Sequence, residues 1–108
     1  MPASEVPPVV KLFSKADCQL CDELQMSLSA WQKESPHTLQ MVDVTDSENG
    51  RWLEKYWADI PVVHLNGQFV AKWRLSQDAF ATLVRRSARG EDVTQPGEPD
   101  ARNYKDIK

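Results

Sequence analysis

Cys18 and Cys21 are the only cysteines in the chain, and they stand together in Lys15-Ala-Asp-Cys18-Gln-Leu-Cys21-Asp22. That spacing suits an intramolecular disulfide, and it suits thiol–disulfide exchange equally well. A thiolate with a second thiol beside it attacks a disulfide, holds the mixed disulfide briefly and is released by its neighbour. Because the thiolate is the reactive form, such a pair needs surroundings that favour negative charge. A helix beginning at about Cys18 supplies them through its unpaired N–H groups and positive dipole end, and it carries Cys21 almost one turn further, within reach of Cys18. Lys15 assists, whereas Asp17, Asp22 and Glu23 oppose, so only a modest bias toward the thiolate is expected.

The elements that must hold this pair are readable on either side of it. Val9 to Phe13 is rich in β-branched and aromatic residues and reads as a strand, and Asp17 is a candidate N-cap for the helix that follows. Leu20, Leu24, Leu28 and Trp31 recur at helical spacing, and the helix should end before Pro36. Thr38 to Val44 alternates as a second strand, with Leu39 and Met41 on one face and Val42 and Val44 on the other. Asp46 or Ser47 caps a short helix to about Trp57. Ile60 to Leu65, Asn66-Gly67 and Gln68 to Lys72 then form a hairpin, since Asn-Gly tolerates the positive φ angles of a two-residue turn. Ser76 caps a last helix with Ala79, Phe80, Leu83 and Val84 as its apolar positions, Arg85, Arg86 and Arg89 at its solvated end and Gly90 as its stop. The expected order is β-α-β-α-β-β-α, an α/β fold with a four-stranded mixed sheet flanked by helices.

Composition narrows the functional classes. A chain of 108 residues, 41% hydrophobic and 27% charged, is one ordinary globular domain, divided here into an N-terminal arm (1–8), a folded domain (9–90) and a flexible or surface-wrapped tail (91–108) on which Tyr104 and Ile107 are docking candidates. A net charge of −3 gives no reason to expect nucleic acid or an anionic membrane as partner. Two cysteines are too few for a secreted disulfide scaffold, and no signal peptide or apolar span is visible, so a cytoplasmic, monomeric protein is expected, an organellar form after processing being the other setting. Trp31, Trp52 and Trp57 read as packing residues, which leaves Trp73 for a site role.

The element order, the Leu12-Phe-Ser-Lys-x-x-Cys18-x-x-Cys21 opening and the Ile60-Pro61-Val62 before the hairpin together resemble the thioredoxin superfamily, and within it a set of short glutaredoxin-like proteins. The resemblance covers Val9 to Arg89. It implies a thioredoxin/glutaredoxin-like fold and a thiol–disulfide oxidoreductase with Cys18 as nucleophile and Cys21 as resolving cysteine. It further implies a cis-proline at Pro61, and binding of a thiol substrate by Lys15, Gln19, Leu20 and the backbone of Ile60. Glutaredoxins usually place Pro-Tyr between the cysteines, where this chain has Gln19-Leu20. They carry a Gly-Gly and an acidic pair after the last strand, where this chain has Lys72-Trp73-Arg74-Leu75-Ser76-Gln77-Asp78. Trp73, Ser76 and Gln77 are the candidates for that binding role here. No tightly bound cofactor is implied. Glutathione enters as a co-substrate, and the partner is a disulfide-containing protein or a glutathione mixed disulfide.

The competing reading is a non-enzymatic module of the same fold that binds a protein partner, or a metal or iron–sulfur centre, through the cysteine pair. A Cys2His2 set would draw on His37 and His64, which lack the short mutual spacing of structural zinc ligands. His64, in a strand, reads rather as a partly buried residue with a satisfied ring.

Overall fold

The computed structural model describes residues 6–106, and the side chains of that span as far as 103. Ile107 and the side chain of Tyr104, both docking candidates, lie outside the described residues, as do residues 1–5 of the arm. The elements run β1 (Val9–Ser14), α1 (Gln19–Ala30), β2 (Thr38–Asp43), a 3-10 turn (Ser47–Asn49), α2 (Gly50–Tyr56), β3 (Val62–Leu65), β4 (Gln68–Lys72) and α3 (Gln77–Ala88), followed by a second 3-10 turn (Ala101–Asp106). The four strands form one sheet in the order β2-β1-β3-β4, with β1 and β2 parallel across the α1 crossover and the other two pairings antiparallel. This is the mixed α/β arrangement that the sequence predicts.

Strand alternation sorts the core into two layers. Val10 and Leu12 of β1 and Val63 and Leu65 of β3 meet Leu24 and Leu28 of α1 and Phe80 and Leu83 of α3. From the opposite side of the same strands, Phe13 and Val62 pack on Tyr56 of α2, together with Val44 and Phe69. A period of two along each strand thus commits α1 and α3 to one face and α2 to the other.

Helix ends are fixed by local chemistry. The Ser76 hydroxyl accepts the Ala79 N–H at 3.1 Å, and Asp46 accepts from the Glu48 N–H at 3.0 Å, which caps the 3-10 turn leading into α2 rather than α2 itself, whose N-cap, Asn49, makes no side-chain capping bond. At the far end of α3, Gly90 takes φ +81°, its N–H bonds the Ser87 carbonyl, and the Glu91 N–H bonds the Arg86 carbonyl, which completes a Schellman motif. Arg86 and Arg89 both grip Glu91 there, at 2.9 and 2.7 Å. In the hairpin turn Asn66 and Gly67 take φ of +50° and +83°, the two positive angles the dipeptide allows.

Beyond α3 the chain runs back over the domain. The Val93 side chain is fully buried in the α1/α3 core layer, while its N–H donates to Gln68 Oε1 and the Gln95 N–H donates to the Phe69 carbonyl, both at 2.9 Å. Pro99 and Ala101 are buried further along. No helix among the described residues is long and apolar enough to cross a membrane.

Candidate active site

The register brings the ends of three strands to one place. Phe13 faces Val62 in the last pair of the β1–β3 ladder, and Val62 faces Lys72 in the β3–β4 ladder. The chain leaving β1 toward Cys18, the chain entering β3 through Ile60-Pro61 and the chain leaving β4 through Trp73 therefore share one terminal edge of the sheet, where strands begin and end, as distinct from its lateral edges along β2 and β4. The Ile60–Pro61 peptide bond is cis, and the Pro61 carbonyl accepts the Trp73 N–H at 2.8 Å.

At that edge Cys18 and Cys21 form a disulfide, with their Cα atoms 5.2 Å apart. Asp17 is not the cap of α1. It sits at φ +58°, a conformation Asp tolerates, and the capping position falls to Cys18 itself. The Cys18 sulfur accepts the Cys21 N–H at 3.2 Å, so a sulfur performs the task usually given to a hydroxyl or carboxylate oxygen. The two sulfurs are unequal in access: Cys18 is half-buried, whereas Cys21 is 1% exposed beneath the first turn.

A groove of about 370 Å³ lies between α1 and the β4–α3 connection, lined by Leu20, Glu23, Leu24, Ser27, Trp73, Arg74, Leu75 and Ser76. Trp73 is held there in an unusual backbone. Its φ is +70°, and the Arg74 N–H bonds the Lys72 carbonyl at 2.8 Å across it, which makes Trp73 the centre of a γ-turn of the rarer, strained hand. Such a conformation costs a residue with a Cβ about 1–3 kcal/mol. The Lys72 ammonium stands 4.4 Å from the Trp73 ring centroid and 3.8 Å from a carboxylate oxygen of buried Asp59. The indole nonetheless remains 45% exposed.

A family model described as Glutaredoxin-like domain (DUF836) matches residues 9–85. The chain belongs to this glutaredoxin-like family. A solved structure is similar in fold: the solution NMR structure of protein Ne2328 from Nitrosomonas europaea, at 23% identity and a TM-score of 0.61, covers 76% of this chain and 96% of its own. In this glutaredoxin-like protein the segment from Glu91 onward therefore lies beyond the matched family span.

The candidate residues fall into two neighbourhoods. Leu20, Trp73 and Ser76 line the groove, while Gln77 is exposed at the first turn of α3 and Gln19 is exposed and bonded to Glu23 Oε2 at 3.1 Å. Lys15 lines a different cleft, of about 750 Å³, with Val44, Leu53, Trp57, Ala101 and Arg102 on the α2 side. Trp57, read from the sequence as a core or helix-packing residue, is 57% exposed and lines that cleft from the C-cap position of α2. Glu23, Leu24 and Leu75 were not singled out as groove residues by sequence. The signal for the first two was the helical spacing that sets Leu20, Glu23 and Leu24 on one flank of α1.

The histidines do not join the cysteines. His37 Nδ1–H donates to the Ser35 carbonyl at 2.7 Å and meets the Phe80 ring edge-on, whereas His64 packs against Phe13 on the opposite layer. Among the described residues no three His, Cys, Asp or Glu side chains gather as metal ligands would. His64 Nε2 lies 2.8 Å from the Tyr56 hydroxyl, which in turn donates to Glu98 Oε2 at 2.6 Å, and Lys55 pairs with that same oxygen at 2.7 Å. Burial lowers the His64 pKa to about 4, and burial followed by the Glu98 contact raises that of Tyr56. Burial alone would raise Glu98, but the Lys55 and Tyr56 hydrogen bonds outweigh it and hold its pKa below the usual value. His64 is thus a neutral core residue that anchors the C-terminal segment.

Proposed function

We propose that this protein is a dithiol thiol–disulfide oxidoreductase of glutaredoxin-like type, acting as a monomer on protein disulfides or glutathione mixed disulfides. The observation that carries the reading is the unequal access of a bonded Cys18–Cys21 pair at a helix start: the outer sulfur is reachable and the inner one is not. In the reduced protein, the free N–H groups of the first turn of α1 favour a thiolate on Cys18. That thiolate attacks the substrate disulfide, forming a Cys18–substrate S–S bond and expelling the other substrate sulfur, which takes up a proton. Cys21, deprotonated, then attacks Cys18, releasing the second substrate thiol and closing the Cys18–Cys21 disulfide. Two electrons pass to the substrate, and an external thiol, glutathione or another dithiol donor, returns them. Continuous recycling of this kind belongs in a reducing compartment, and we assign the protein to the cytoplasm on that ground.

The backbone of Ile60, ahead of cis-Pro61 at the same sheet edge, is suited to pairing with the substrate segment that carries the cysteine, since such pairing adds an extended strand without demanding particular side chains. The test is a pair of variants. Cys18→Ser should abolish reduction of a model disulfide, and Cys21→Ser should accumulate a mixed disulfide visible as added mass in the intact protein after exposure to oxidised glutathione. Reduction at the wild-type rate by Cys18→Ser would remove the proposal.

A further inference from the structure

Trp73 is an expensive residue where it stands. Three non-glycine residues in the described chain have positive φ, and the other two, Asp17 and Asn66, are types that tolerate it. Trp73 is not such a type, and its indole is not repaid by burial in the core. Its position is nonetheless fixed from three directions, by the Pro61 carbonyl on its N–H, by the γ-turn that encloses it and by the Lys72 ammonium against its ring. A large exposed aromatic whose backbone is fixed beside a cis-proline, and which shares a groove with Leu20 and Leu24 of α1, is arranged for contact with something outside the chain.

We infer that the groove between α1 and the β4–α3 connection receives an extended substrate polypeptide, and that Trp73 is the specificity-determining residue that selects a large apolar side chain two residues from the disulfide cysteine. The inference rests on the oxidoreductase reading and narrows its substrate class. Leu20 lies two positions beyond Cys18, so the groove begins within one helical turn of the reacting sulfur. Successive side chains of an extended segment point to opposite faces, so the residue two positions from the substrate cysteine, about 6.6 Å along the chain, is the one whose side chain returns to the cysteine's face and meets this opening. The groove, about 370 Å³, has Leu20, Leu24, Trp73 and Leu75 as its apolar lining, with Glu23, Ser27, Arg74 and Ser76 as the polar remainder, and it has room for such a side chain. Glutathione carries two carboxylates and an ammonium around its cysteine and no apolar side chain, so it leaves that lining unfilled.

The experiment compares two peptide disulfides that differ only in having Leu or Gly two residues from the cysteine, with bis(2-hydroxyethyl) disulfide as a third substrate. In the wild-type protein kcat/KM should favour the Leu peptide by about tenfold, the discrimination available from one buried aliphatic side chain. Trp73→Gly, which relieves the backbone, should bring the ratio to within about threefold, while Trp73→Phe should retain most of it. Urea unfolding of each variant checks that the domain is intact. A wild-type ratio near one, or a ratio that survives in Trp73→Gly, overturns the inference while reduction of bis(2-hydroxyethyl) disulfide leaves the oxidoreductase reading standing. Failure to reduce any of the three removes both.

Discussion

Acidification should weaken this fold through a single imidazole before it touches the carboxylates. His64 is 7% exposed, ringed by Phe13, Trp52 and Tyr56, and burial holds its pKa near 4 against 6.5 for the free side chain. The unfolded chain therefore binds a proton between these two values that the folded chain refuses. The sign follows directly: the contribution is complete above pH 6.5, declines as pH falls through 6.5, and levels off below about 4. Linkage with these two values gives a loss of about 2 kcal/mol by pH 5 and about 3 kcal/mol by pH 4. The groups whose pKa is lowered, among them Glu98 and Glu91, begin to add their own losses only toward the lower end of that range.

Urea unfolding at half-unit steps from pH 7.5 to pH 4, on the wild type and on His64→Gln, isolates the effect. Glutamine keeps an N–H within reach of the Tyr56 hydroxyl and cannot titrate. The wild type should lose about 2 kcal/mol more than the variant between pH 7 and pH 5. Parallel pH profiles for the two proteins, or an imidazole resonance of His64 that titrates near 6.5, would refute the reasoning.

Three further outcomes test how the chain beyond α3 is held. Val93→Ala should cost about 2 kcal/mol in urea unfolding, since it empties a fully buried site in the α1/α3 layer. Glu98→Ala strips the Tyr56 hydroxyl of its acceptor and should cost about 1–3 kcal/mol, whereas Glu98→Gln, which retains an acceptor, should cost clearly less on the same assay. Gly90→Ala places a Cβ at φ +81° and should lower stability by about 1–2 kcal/mol, with the far-UV spectrum unchanged.

What could be read from the sequence was set by short-range chemistry. Asn66-Gly67 announces its turn because few other pairs accept two positive φ angles, and Ser76 and Gly90 bracket α3 for equally local reasons. The cysteine pair and the cis-proline were legible as a family pattern. Asp17 misled because a carboxylate before a helix is the commoner cap, and nothing nearby in sequence says that the next residue's sulfur will take the N–H instead. The segment after Gly90 was harder still. Its charge and prolines conceal that one valine, one proline and one alanine are buried, because the bonds that hold Val93 and Gln95 come from Gln68 and Phe69 of the outer strand β4, far back in the sequence. Trp73 was marked as a site candidate by elimination among the tryptophans, but its positive φ depends on the Pro61 carbonyl, a partner twelve residues away.

The division of the candidate residues into two neighbourhoods follows from the same alternation that builds the core. Every strand that ends at this edge delivers one side chain to the α1/α3 face and the next to the α2 face, so residues close in sequence to Cys18 need not be close to one another. Lys15 follows β1 and opens onto the cleft beside α2, while Leu20 is already on the helix that covers the other face. The two openings share no lining residue, so a ligand that fills the groove beside Leu20, Trp73 and Ser76 does not thereby occupy the cleft that Lys15 lines. A substrate that fills both has to run past the end of the sheet where β1 ends and β3 begins, a demand that a polypeptide meets by its length.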